Sequence, residues 1–320
     1  MSNLDRTPAL TQSGGLAGVA AQPVHEVFTG REVTLGDTQV RRLLPNLGRR
    51  LVGAWCFVDH YGPQDIATEP GMQVPAHPHM GLQTVSWLLD GEVHHRDSIG
   101  SDQLIRPGEL GLMTSGNAIA HTEQSPVPHP ALLHGVQLWV ALPDAHRASA
   151  PAWDHHADLP IVADRGLRAS VILGSLAGAI SPGRTFSALV GADLDLSPGA
   201  DALLPLEPDF EHAVLVMSGW AEVDDEALTP GAMLYLGSAR RDLRVRTEPG
   251  ARVLLLGGEP FGEQIVMWWN FVARTNDEVA AARAAWETGT RFGTVAGFED
   301  NMLVAPPIPP GRLKPGGSAR

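Results

Sequence analysis

A stretch of ten residues recurs far along the chain. LQTVSWLLDG at 82–91 aligns with FEHAVLVMSG at 210–219, an offset of 128, and PGELGLM from Pro107 aligns with PGAMLYL from Pro230, an offset of 123. In the first copy the apolar run closes on Asp90-Gly91, a strong hairpin signal. A Pro-Gly turn then leads into a second short apolar run. One β-unit used twice at this spacing implies two stacked β-barrels. The 35 glycines and 26 prolines fit many turns and short strands. With 320 residues, 43% of them hydrophobic, the chain has room for two domains and a full core without disulfides.

The first copy is flanked by two short polar motifs, His77-Pro78-His79 and His121-Thr122-Glu123. Each pairs two potential ligands at i, i+2, which on a strand puts both side chains on one face. The hairpin-linked strands between them would gather His77, His79, His121 and Glu123 around one ion. Imidazole and carboxylate together suit a borderline divalent metal such as iron, nickel, copper, manganese or zinc. Four such ligands leave two positions open on an octahedral ion, as a catalytic metal requires.

The second copy lacks these ligands. His77 and His79 map near Pro205 and Glu207, and His121 and Glu123 map near Arg244 and Arg246, which would repel a cation. His212, in the second unit, is therefore expected to be a core or pocket residue. In the first unit His95 and Asp97, again i, i+2, are candidates either to orient a ligand or to stabilise a turn.

The segments HPHMGLQTV, HRDSIG and PGELGLMTSGNAIAHTE resemble the pirin family of the cupin superfamily. The likeness extends to RRLLPNLGRRLVGAWCFVDHYGP, HGVQLWVALP, LLLGGEPF and VMWWNFVART, and so spans residues 28–298. It implies an all-β bicupin, with metal ligands at His77, His79, His121 and Glu123 and iron(II) as the usual metal. It also implies dioxygen-dependent cleavage of flavonols such as quercetin, as in bacterial quercetin 2,3-dioxygenase-like relatives; Glu123, beside the metal, is the candidate catalytic base for the flavonol hydroxyl. The alternative it carries is a redox-sensitive, iron-binding regulator acting through protein partners. Two positions depart from the family pattern: Gln83 stands for the usual Glu, and Ala118 for the usual Gly. The first is expected to remove a carboxylate beside the site.

The domain reading is a disordered or loosely docked leader at 1–24, an N-terminal cupin domain with the metal site at 25–150, a C-terminal cupin domain without one at 160–300, and a flexible tail at 304–320. Residues 143–160 show no strand pattern and read as the linker, with His155 and His156 not expected to be ligands. One short helix near the C-terminus is announced by Thr275-Asn276-Asp277-Glu278, a capping box, and closed by Gly289. Arg41, Arg42, Arg49 and Arg50 are expected to form ion pairs, and His60 to be structural. A net charge of −13 argues against a nucleic-acid surface. The lone Cys56 sits in an apolar run and reads as a core residue. No stretch is long and apolar enough for a membrane span, and the expected location is the cytoplasm.

Overall fold

The computed structural model describes residues 4–14, 23–35, 38–46 and 48–309. It is all-β, with two stacked cupin-type barrels and, among the described residues, one helix, Asn276–Glu287. The duplication appears strand by strand. In one large sheet the order is Ala152–His156, Leu110–Thr114, Leu82–Asp90, Leu132–Ala141, Trp55–Asp65, Thr38–Leu44, Arg31–Leu35. In the other it is Pro23–Thr29, Ala232–Gly237, Glu211–Gly219, Ala251–Gly258, Leu189–Leu196, Leu167–Leu176, Ile161–Asp164. Each barrel is completed by a four-stranded sheet. The first joins Gln73–His79, Ile119–Gln124, Val93–Asp97 and Asp102–Ile105; the second joins Asp201–Pro205, Asp242–Arg246, Ala221–Val223 and Glu226–Leu228.

Alternation along the two aligned strands explains how the barrels stack. In Glu211–Gly219, Val214 and Val216 face the interior of the second barrel, whereas Ala213, Leu215 and Met217 meet Val85, Trp87, Leu110 and Leu138 of the first. The shared layer is apolar and fully buried. Trp87 bridges it, its indole N–H donating to Asp193 at 2.8 Å.

The chain does not divide as cleanly as its repeat suggests. Pro23–Thr29 pairs with Ala232–Gly237 of the second unit. Ala152–His156, within the stretch read as a linker, pairs with Leu110–Thr114 of the first. Its strand pattern was hidden because every residue in it is only half-buried. Part of the expected leader is also structured: Thr11–Ser13 pairs with Ile265–Met267. Residues 1–3 and 15–22 of the leader lie outside the described residues. After the second barrel the chain returns to the first. Trp268, Phe271, the helix face of Val279, Ala282 and Trp286, and Ala305 pack on Ala76, Met80, Ala118 and Ala120. The start of the expected tail is therefore docked, with the Pro306 carbonyl accepting from Arg283 Nε at 2.6 Å. Residues 310–320 lie outside the described residues.

The helix begins as its cap predicts. Thr275 Oγ1 accepts from the Glu278 N–H at 3.1 Å, but the Glu278 carboxylate accepts from the N–H of Arg274 rather than from the cap residue itself. The arginine cluster is dispersed. Arg42 forms a buried bidentate pair with Asp59 at 2.8 Å, Arg49 pairs with Glu26, and Arg50 donates to the Gln12 carbonyl. Cys56 is buried. Among the described residues no helix is long and apolar enough to cross a membrane.

Candidate metal centre

The Gln73–His79 and Ile119–Gln124 strands are direct antiparallel neighbours, with His121 opposite His77 and Ile119 opposite His79. This places the three imidazoles on one patch of the first barrel wall. Their ring centroids are 4.3 to 5.0 Å apart, and all three residues are at most 1% exposed. One ligand atom from each lies within 4.8 Å of the others, and this is the one such group of three among the described residues.

The hydrogen bonds fix which nitrogen points inward. His77 Nδ1 lies 2.8 Å from the Pro75 carbonyl and His79 Nδ1 lies 3.2 Å from the Asn270 carbonyl. A carbonyl only accepts, so both rings carry their proton on Nδ1. His121 Nδ1 faces His95 Nδ1 at 3.2 Å, and His95 Nε2 faces Asp97 Oδ2 at 3.1 Å. Asp97 Oδ1 already accepts the N–H groups of Ile99 and Ser101. The consistent assignment has Asp97 accepting from His95, and His95 accepting from His121. His121 then also carries its proton on Nδ1. The Nε2 atoms of His77, His79 and His121 are left buried with no hydrogen-bond partner among the described residues. Three convergent imidazole lone pairs in a dry setting fit a divalent metal ion.

Electrostatics agrees with neutral ligands. Burial lowers the pKa of His77 to about 4. His79 and His121 are held well below the usual histidine range, first by burial and then by their neighbouring rings. Burial pushes the Asp97 carboxyl up, but the His95 ring and the Ser101 N–H more than offset it, so it stays a carboxylate.

Glu123 is buried beside this group but is not one of the three residues whose ligand atoms cluster. A register shift between His121 and Glu123 sets it off from the ideal i, i+2 geometry. Its Oε1 lies 3.2 Å from the Ser86 hydroxyl, which also reaches Gln137 Oε1 at 3.1 Å. Trp139 meets the His79 ring edge-on at 5.2 Å, and Trp153 stacks on His95 at 3.7 Å.

Two expectations need correction. Gln83 is not beside the site. Along Leu82–Asp90, Ser86 faces the barrel interior and Glu123, so Gln83, three residues away, shares the opposite face with Val85 and Trp87. Its amide donates to Thr114 Oγ1 at 2.9 Å and to the Arg184 carbonyl at 3.0 Å. The second barrel lacks the ligand set for a different reason than the one expected. Arg244 and Arg246 point outward, to Asp201 and Glu222. The inward positions of that strand pair are Leu243 opposite Leu204 and Val245 opposite Ala202, all buried. His95 and Asp97 both orient a candidate ligand and brace the turn after them. His60 is buried against His134 at 2.9 Å, and His155 pairs with Glu109. No local sequence signal pointed to Trp153 or to the Asn270 carbonyl, because both come from segments distant in the chain.

Fold and site together define a two-barrel cupin with one histidine-lined centre. The pirin family model matches residues 37–140, and the model described as the pirin C-terminal cupin domain matches residues 191–293. The chain belongs to the pirin family. It is 48% identical over 275 residues to a Pseudomonas aeruginosa protein provisionally named quercetin 2,3-dioxygenase, covering 86% of this chain and 87% of that one. A pirin-like protein of Caulobacter vibrioides is 38% identical over 272 residues, covering 82% and 93%. The crystal structure of a quercetin 2,3-dioxygenase from Acinetobacter baumannii superposes with a TM-score of 0.87 at 40% identity, covering 90% of this chain and 96% of that one. The Escherichia coli pirin YhhW, solved in complex with nickel(II), shares the fold at 15% identity, with a TM-score of 0.59 over 74% of this chain and all of its own. The family and the buried histidine cluster make this a metal-binding pirin.

Proposed function

We propose that the chain is an iron-dependent dioxygenase acting on flavonols such as quercetin, with His77, His79, His121 and Glu123 holding the metal. The observation that carries this reading is the set of three clustered, buried imidazoles whose Nε2 atoms have no hydrogen-bond partner among the described residues. The named relatives support the substrate class. A bound iron(II) ion would supply the Lewis acidity and electron transfer that dioxygen insertion needs.

The protein's own groups do the rest. Asp97 and His95 hold His121 in the tautomer that presents Nε2, and the Pro75 and Asn270 carbonyls do the same for His77 and His79. Glu123, whose Oε1 accepts from the Ser86 hydroxyl, takes the proton of the flavonol hydroxyl as a carboxylate base buried beside the imidazoles. Val74, Tyr61 and Leu88 keep the surrounding wall apolar, so charge that develops on the substrate oxygen is weakly screened.

The test is oxygen uptake with quercetin by anaerobically purified protein loaded in turn with iron, nickel, copper and manganese. The expectation is uptake strongest with iron. No uptake with any of the four metals would overturn the enzyme reading in favour of the iron-binding regulator. The reading places the protein in the cytoplasm.

A further inference from the structure

The second barrel has a cavity at one end, beyond the leucine, valine and alanine that fill its interior. His212 is the interior-facing residue at one end of Glu211–Gly219, continuing the row of Val214 and Val216. Its repeat counterpart in the first barrel is Thr84. The ring is 0% exposed, and neither nitrogen has a hydrogen-bond partner among the described residues. The Phe210 backbone lies close enough to favour the protonated ring slightly, without forming a hydrogen bond of normal geometry. The ring lines a cavity of about 230 Å³ together with Phe210, Leu206, Val190 and Leu176. Glu207 and Ser175 stand at its exposed lip. The placement is built into the backbone. A Cβ at Gly257, opposite His212 on the neighbouring strand, would come within 2.7 Å of the His212 ring.

A buried imidazole with both nitrogens unmatched is costly, and it is satisfied by a guest that can donate or accept. Burial, and then the positive field of Arg240, lower the His212 pKa to about 4, so the ring is neutral at physiological pH. A neutral ring does not select an anion, and the carboxylate of Glu207 at the lip opposes one. Leu176, Val190, Leu206 and Phe210 form the apolar part of the wall, with the Phe210 ring centroid 6.1 Å from that of His212, and the polar surface lies toward the lip. Apolar cavities of about 150 Å³ accept benzene, so this one has space for a single substituted ring. Barrel mouths are also a frequent place for such sites.

We propose that the mouth of the second barrel binds a small uncharged phenol, one aromatic ring whose hydroxyl hydrogen-bonds to His212. The site is separate from the metal centre, and its occupancy does not depend on metal. The experiment soaks crystals of the full chain with 4-bromophenol and locates bromine by anomalous scattering. In parallel, phenol, toluene and benzoate are titrated into protein labelled with nitrogen-15 at histidine, before and after chelation. The expected result is bromine beside Phe210, and a phenol dissociation constant of about 1 mM or tighter for so small a ligand. Phenol should shift the His212 ring resonances, toluene and His212→Phe should each bind about tenfold more weakly, and chelation should change nothing. The soak needs no variant, so a His212→Phe protein that misfolds leaves the test intact. Ordered water alone in the cavity would overturn the proposal. So would phenol binding at soaking concentration only, equal affinity of wild type and a folded His212→Phe, or benzoate binding as well as phenol.

Discussion

Asp97→Asn tests whether the polar relay behind His121 sets the chemistry of the metal centre. The change preserves shape, and the oxygen of the introduced amide can still accept from the N–H groups of Ile99 and Ser101, as Asp97 Oδ1 does. The atom then facing His95 Nε2, 3.1 Å away in the wild type, is an amide N–H₂ instead of a carboxylate oxygen. His95 must accept there, so its proton moves to Nδ1. His95 Nδ1 now donates across the 3.2 Å contact to His121, which must hold its own proton on Nε2. The lone pair that His121 offers to a metal is thereby lost unless the relay breaks. Disturbing the groups that orient a ligand typically costs 10- to 100-fold in metal affinity, or about 1.4–2.7 kcal/mol. The variant should show a loss in that range by chelator competition, and nitrogen-15 spectra of the metal-free protein should show His121 switching tautomer. Folding should change little, because the backbone acceptor is kept. Wild-type metal affinity in a variant with switched tautomers would refute the reasoning.

Glu123→Gln keeps an oxygen donor but not a base; turnover per bound metal should fall about 10²-fold or more, measured as oxygen uptake normalised to metal content. Gln83→Glu replaces a buried amide that donates to Thr114 and to the Arg184 carbonyl; denaturant unfolding should show a loss of about 1–3 kcal/mol, with metal affinity unchanged. The metal-free protein should lose stability on acidification. His77 and His212 have folded pKa values lowered to about 4, and His60 to about 3, so below pH 6.5 the unfolded chain binds protons that the folded chain refuses. Stability should be flat above about pH 7 and should fall steadily from about pH 6.5 to pH 4, followed by thermal melts across that range.

The two-barrel architecture was legible because the repeat carries both the apolar runs and their turns. Strand exchange between units was not legible. The segment from Val24 alternates as a strand does, but nothing in it names Ala232–Gly237 as its partner; Ala152–His156 lies at the edge of a large sheet, where half-buried positions erase the apolar/polar alternation. The Thr11–Ser13 strand is three residues long, and its pairing depends on Ile265–Met267, more than two hundred residues away. No local pattern reports a partner at that distance.

At the site, the gathering of His77, His79 and His121 on one face was legible from their i, i+2 spacing, whereas both errors came from the two-residue period of a strand. Gln83 is three residues from Ser86, an odd separation, so a position near in sequence to the centre faces the other barrel. Matching His121 to Arg244 by repeat offset slipped the second barrel by one residue, and such a slip exchanges every inward side chain for an outward one. With the register read from Leu243 opposite Leu204, the second interior is closed with leucine, valine and alanine up to its mouth. The divergence of the two barrels is therefore a matter of filling. One interior spends its polar positions on three imidazoles held by carbonyls and a carboxylate relay, and the other leaves a single neutral imidazole facing a cavity.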